Sequence, residues 1–323
     1  MKKSALTVAA AVAMTSGLAI TGGSAQAAPV YNQDNTRVDL HGRLRMGLVN
    51  TDGDSSYENL SSRFGFRLNH EVDQNMSVFA NTEFRFNSDE VNRDPMQIRN
   101  TFLGVDFKGI GRVYGGNFDS IYYQQITSLT DNMENNSVFR ALNTGGQRGR
   151  GDTIAFDSAD FNGVRFGMSA KLQPEDEGAG QEEAWSMMAY LGYSVGELNL
   201  AVGYDQANED FTDGAEDALI GVRADYNFLP NFNVGAYAEQ QGDLNHYAAG
   251  AKYRYGMGDL YATLSHLDND GETDNIYTLG VNYKFSRPMY VFAEYASGST
   301  DKTGFGFADE EKPVITLGAR YNF

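Results

Sequence analysis

The carboxy-terminal nonapeptide Ile315-Thr316-Leu317-Gly318-Ala319-Arg320-Tyr321-Asn322-Phe323 alternates apolar and polar residues and ends on an aromatic. Successive side chains of a strand point to opposite faces, so Ile315, Leu317, Ala319, Tyr321 and Phe323 share one side and Thr316, Gly318, Arg320 and Asn322 the other. The same alternation recurs along nearly the whole chain. A protein made almost entirely of two-faced strands must hide its apolar face in a core or show it to lipid.

The polar face decides between these. From Val38 to Val49, Val38, Leu40, Leu44, Met46 and Leu48 oppose Asp39, His41, Arg43 and Arg45. Four ionisable groups in a row suit neither a soluble core nor hydrocarbon, so that face meets water. Arg63 to Val72 repeats the pattern and turns at Asp73-Gln74-Asn75 into Val78 to Phe86, which reads as a hairpin. Sixteen such segments can be counted. Short connections at 73–76, 108–111, 159–162, 195–197, 229–231, 257–259 and 286–288 interleave with longer ones. In a bilayer every backbone N–H and C=O must be paired and no sheet edge can remain, which an even number of antiparallel strands of about ten residues achieves by closing on itself. The predicted fold is all-β: a transmembrane antiparallel β-barrel of 16 strands with short periplasmic turns and longer extracellular loops. Tyr193, Tyr204, Tyr226, Phe228, Tyr255, Tyr283, Phe285, Tyr321 and Phe323 are expected to form an interfacial girdle beside the short turns.

The amino terminus is consistent with export. Lys2 and Lys3 precede an apolar stretch from Ala5 to about Ile20, and Ala25-Gln26-Ala27 has the small-x-small form of a signal-peptidase site. Residues 1–27 read as a signal peptide and 28–323 as the barrel domain. The chain carries a formal charge of −18, which removal of the two leader lysines makes −20, so nucleic acid is an improbable partner. It has no Cys, and its stability cannot depend on disulfides.

Other local motifs carry little. Gly109-Ile110-Gly111 sits on a predicted hairpin turn and not between strand and helix, so it does not read as a dinucleotide site. Asp268-Asn269-Asp270-Gly271-Glu272-Thr273-Asp274 lacks calcium-loop spacing and reads as an acidic extracellular loop. His41, His70, His246 and His266 fall on separate strands, and no metal or cofactor is expected. An outer-membrane enzyme is an alternative from another class, but no Ser/His/Asp arrangement converges at one rim. A barrel adhesin is a further alternative, although the loops look short for one.

Tyr31-Asn32-Gln33-Asp34-Asn35-Thr36-Arg37-Val38-Asp39-Leu40-His41-Gly42-Arg43 resembles the opening strand of the Gram-negative general porins. Ser62-Arg63-Phe64-Gly65-Phe66-Arg67 resembles their second strand, and Val113-Tyr114-Gly115-Gly116-Asn117-Phe118 and the terminal Tyr321-Asn322-Phe323 are similar too. The resemblance implies an outer-membrane homotrimer, exported through its signal peptide, that passes small hydrophilic solutes by passive diffusion through a water-filled channel. Its other partners would be outer-membrane lipid and lipopolysaccharide. A channel selective for oligosaccharides is the alternative within transport, but the lumen-facing aromatics Phe79, Tyr237 and Tyr261 look scattered.

The resemblance also implies that the third loop, about Asp119 to Arg150, folds into the pore; its many apolar residues, from Ile121 to Leu142, suit an inward-packed segment. A Pro-Glu-Phe-Gly-Gly motif found near the tip in the family is absent. The basic wall would comprise Arg43, Arg63, Arg99 and Arg150, and the acidic loop residues Asp119, Asp131 and Glu134. Arg99 shares parity with Leu103, Val105 and Phe107 unless a bulge intervenes. The second loop, with Glu90, Arg93 and Asp94, would latch onto a neighbouring subunit. With both signs at the constriction and an acidic vestibule, a modest preference for cations is expected.

Overall fold

The computed structural model describes residues 28–88, 96–135, 151–174, 183–206, 216–298 and 313–323. The strands are β1 (Ala28–Gln33), β2 (Thr36–Thr51), β3 (Asp54–Asn59), β4 (Arg63–Glu71), β5 (Met76–Phe86), β6 (Met96–Phe107) and β7 (Gly111–Asn117), followed by helix α1 (Ile121–Gln125) and a 3₁₀ turn (Thr127–Leu129). They continue with β8 (Thr153–Ser158), β9 (Val164–Gln173), β10 (Ala184–Val195), β11 (Leu198–Asp205), β12 (Leu219–Leu229) and β13 (Phe232–Gln241). The last are β14 (Leu244–Arg254), β15 (Gly258–Asn269), β16 (Glu272–Lys284), β17 (Met289–Gly298) and β18 (Val314–Asn322).

Every consecutive pair from β4 to β18 is antiparallel, and β18 returns to β2 through Val314↔Thr51 to Asn322↔Arg43. With β2 also paired to β4, the ring closes at sixteen wall positions. The two additional strands complete existing positions. β3 pairs with the upper half of β2 and β4 with the lower half, so together they form one wall strand interrupted at Leu60–Ser62. β1 folds back through Asp34-Asn35, both with positive φ as a tight hairpin demands, and lies against β2 on the β18 side. The terminal Phe323 exchanges backbone hydrogen bonds with Gly42 there, at 2.8 and 3.1 Å.

The two faces separate as the period of two requires. On β12, Val222 is 52% exposed on the outside while Arg223 is 7% exposed toward the lumen. Leu44, Phe66 and Ala224 face outward with Val222, and Arg43 and Asp225 are buried on the inside. The connections need two corrections. At the loop rim, Asp52-Gly53, Gly242-Asp243 and Asp270-Gly271 are two-residue turns, so strands rather than loops build the rim there. The acidic segment 268–274 is therefore a hairpin, with Asp274 buried. Tyr204 lies at this rim and not beside a short turn. With Trp185, Tyr247, Tyr277 and Tyr295 it marks a second exposed aromatic belt opposite the one formed by Tyr193, Tyr226, Phe228, Tyr283, Phe285 and Tyr321. A lipid-facing band between two such belts is what a membrane barrel needs.

Candidate pore constriction

The segment Phe118–Asn135 turns into the barrel and runs along its inner wall. Ser120 caps α1 by accepting the Tyr123 N–H at 3.0 Å, and Ile121, Tyr122, Ile126, Leu129 and Met133 are buried. The wall is hollowed to receive them. Gly203 and Gly221 sit opposite each other on β11 and β12, and Gly235 and Gly250 on β13 and β14. A Cβ on Gly221 would lie 2.2 Å from the Tyr122 hydroxyl and 2.9 Å from Ile126, and one on Gly235 would lie 2.9 Å from Leu129. The missing side chains are the seat of the loop.

Polar bolts hold it there. The Tyr122 hydroxyl donates to Glu239 at 3.0 Å, and Arg223 donates to the Gln125 carbonyl at 3.3 Å. Glu294 accepts the backbone N–H groups of Glu134 and Asn135 at 2.6 and 2.9 Å, and the Tyr261 hydroxyl at 2.8 Å. Glu239 also contacts His246 at 2.8 Å, and His246 contacts the Ser265 hydroxyl at 2.6 Å. Register thus assembles a Glu–His–Ser arrangement that linear order hid. His246 is fully buried on the wall, and Glu239 is already engaged with Tyr122, so this group fastens the loop.

Arg43 and Arg45 owe their positions to the break between β3 and β4. Arg45 accepts a backbone bond from Leu60 at 2.9 Å while its guanidinium donates to the Leu60 carbonyl, and Arg43 donates to the Ser61 carbonyl at 3.2 Å. Interrupted strand carbonyls thus replace the water these cations lose. Glu83 bridges the next two, with Arg63 at 3.4 Å and Arg99 at 2.6 Å. Arg99 faces the lumen because a bulge intervenes. The β5–β6 register slips between Thr82↔Thr101 and Phe84↔Ile98, which reverses parity above that point. Arg99 then reaches Asp119 at the loop root, at 3.4 Å.

Glu134 at the far end of the described loop makes ion pairs of 3.1 Å with both Arg45 and Arg320, and the Tyr290 hydroxyl donates to it at 2.5 Å. Burial alone would raise the pKa of this carboxyl, but Arg320, Arg45 and Arg43 outweigh it and hold Glu134 well below the ordinary carboxylate range. Asp131 accepts the Tyr123 hydroxyl. Burial, with Asp131 beside it, raises the Tyr123 phenol, which keeps it a donor. Arg45, Arg85 and Arg320 join the expected arginines on the inner wall, and their lumen parity was the available signal. Arg320 stands directly opposite Arg45 across the closing seam, a pairing that only closure creates. Arg150, Glu90, Arg93 and Asp94 lie outside the described residues, as does the segment 1–27.

A closed barrel with an apolar outer band, an ionisable lumen and a loop folded into it defines a water-filled transmembrane channel. Residues 5–303 match the family described as Gram-negative porin, and the chain belongs to that family. A monosaccharide porin of a Halomonas species is 26% identical, with both chains covered completely. Among solved structures, the anion-selective porin from Comamonas acidovorans superposes with a TM-score of 0.71 at 17% identity, covering 89% of this chain and all of that one. The trimer form of OmpT from Vibrio cholerae gives 0.68 at 20% identity, covering 90% and 100%. The protein is a porin of the Gram-negative outer membrane, a channel for passive diffusion of small hydrophilic solutes and not an enzyme.

Proposed function

We propose that solute selection occurs where the inward loop faces the arginine wall. The wall would comprise Arg43, Arg63, Arg99 and Arg150 with Arg45, Arg85 and Arg320, and the loop would contribute Asp119, Asp131 and Glu134. The observation that carries this reading is the pairing of Glu134 with Arg45 and Arg320 across the seam. It ties the loop end to the basic side, so opposed charges border the remaining passage and orient polar solutes. Arginines crowd this zone beside Glu83, Glu294 and the three loop acids, and this concentration of positive charge supports a weaker cation preference than the acidic composition implies.

Planar-bilayer recording in a salt gradient tests this. Substituting Arg43 and Arg63 by neutral residues should shift the reversal potential toward cations; an unmoved potential would place selection elsewhere.

The channel works as a homotrimer in this reading, supported by the trimer form of OmpT, with Glu90, Arg93 and Asp94 on the loop that latches a neighbour. Residues 1–27 are removed on export, and the apolar band contacts outer-membrane lipid and lipopolysaccharide. Deleting residues 88–96 should loosen the trimer yet leave the barrel. A native protein that runs as a monomer in mild detergent and gives only single conductance steps would refute the trimer.

A further inference from the structure

We propose that the lumen wall on the short-turn side of the constriction carries a transit site for pyranose sugars, built on Phe79 and Phe102. This rests on the channel function already assigned and specifies a solute class for it. Strand register brings together rings that look scattered in sequence. Phe79 of β5, Phe102 of β6 and Tyr114 of β7 have centroids 5.8–6.4 Å apart, and Phe118 lies 4.7 Å from Tyr114. The cluster has two parts. Tyr114 and Phe118 are buried and pack the loop root, whereas Phe79 and Phe102 stay partly exposed on the inner wall.

Gly104 explains how Phe79 is presented. A Cβ there would lie 2.6 Å from the tip of the Phe79 ring, so the ring rests in the hollow over bare backbone. The wall around the pad is polar. Phe79 pairs with Asn69 and Phe102 with Asn81, while Arg67 stands opposite Asn81; Arg67 and Asn69 are exposed.

That combination of chemistries selects the ligand. A pyranose has an apolar face of C–H groups that stacks on an aromatic ring, and a rim of hydroxyls that both donate and accept hydrogen bonds. Arg67 offers donors and the Asn69 amide offers both kinds, while Asn81 is already tied to the wall, donating to the Asn100 carbonyl at 2.6 Å. A flat hydrocarbon ring could use the pad, but it would displace water from these groups without replacing it, which costs free energy. Two partly exposed rings give a weak site, and a conducting pore requires weak binding. The passing sugar would be retained briefly and released.

Single channels in planar bilayers, probed with maltotriose and with sorbitol as an open-chain polyol, test the site. Maltotriose should interrupt the potassium chloride current with a frequency that saturates as concentration rises, and sorbitol should not. The Phe79→Leu/Phe102→Leu double variant keeps the apolar bulk and removes the flat faces. It should bind maltotriose at least about fivefold more weakly. Phe102→Tyr should retain binding. Absence of saturable interruption in the parent channel, or equal interruption in the double variant, would overturn the proposal. So would benzyl alcohol saturating the pore where maltotriose does not. Current without any sugar separately tests the channel function, so the two failures are distinguishable.

Discussion

Glu134→Gln removes one negative charge from the seam and the ion pairs with Arg45 and Arg320, but leaves the loop's backbone attachment in place, because Glu294 holds the backbone N–H groups of residues 134 and 135. Arg45 and Arg320 lose their shared counter-ion, so the passage becomes one unit more positive. For an ion passing about 8 Å away in water, a unit charge contributes roughly 0.5 kcal/mol before screening. With a Debye length of about 8 Å at 0.15 M salt, about 0.2 kcal/mol remains. Because the effect has opposite sign for chloride and potassium, the permeability ratio should move about twofold toward chloride at 0.15 M. The shift should approach fourfold at about 0.01 M, where screening reaches about 30 Å, and vanish near 1 M, where it is about 3 Å. Reversal potentials at the three salt concentrations measure this. A ratio that stays constant at low salt would show that ions do not pass near Glu134, and a shift toward potassium would reverse the electrostatic argument. Since the folded carboxyl titrates well below the usual range, its stabilising pairs are complete above the ordinary carboxylate pKa and are lost only as pH falls through the depressed folded value. The Glu134 contribution to selectivity should therefore be unchanged between pH 7 and about 4.5.

Three further outcomes are expected. Val222→Arg places a charge on the outward face and should destabilise the barrel by roughly 2–4 kcal/mol if the site is near the midplane, measured by reversible unfolding; full tolerance would refute the lipid-facing assignment. Gly221→Val drives a side chain into Tyr122 and Ile126, so the overpacked loop should lose about 1–3 kcal/mol of fit, with lower conductance as it moves toward the axis. Tyr122→Phe removes the hydroxyl from Glu239, which costs about 1–3 kcal/mol where a buried acceptor loses its donor, and broader open-channel noise should report the looser loop.

Period-two alternation was enough to establish the barrel, because a strand has only two faces and a row such as Asp39, His41, Arg43 and Arg45 suits neither lipid nor a dry core. Inward placement of Arg43 and Arg223 and outward placement of Val222 follow from parity alone. Parity is local, and it fails where the backbone slips. Arg99 faces the lumen because one extra residue opposite Glu83 reverses the faces of β6, and nothing in its own segment requires that bulge. Ring closure acts over still longer distances. It sets Arg320 against Arg45, separated by most of the chain, and makes Glu134 a buried counter-ion of the wall instead of a free charge facing it. The glycines that seat the loop are also silent in linear order, since a glycine on a strand announces neither the ring packed over it nor its opposite partner. Away from that bulge, the sequence by itself determined which residues meet water and which meet lipid, through a two-residue period that each strand carries alone. Only the tertiary structure decided which charges meet and where the loop lies, because register and closure are relations between strands.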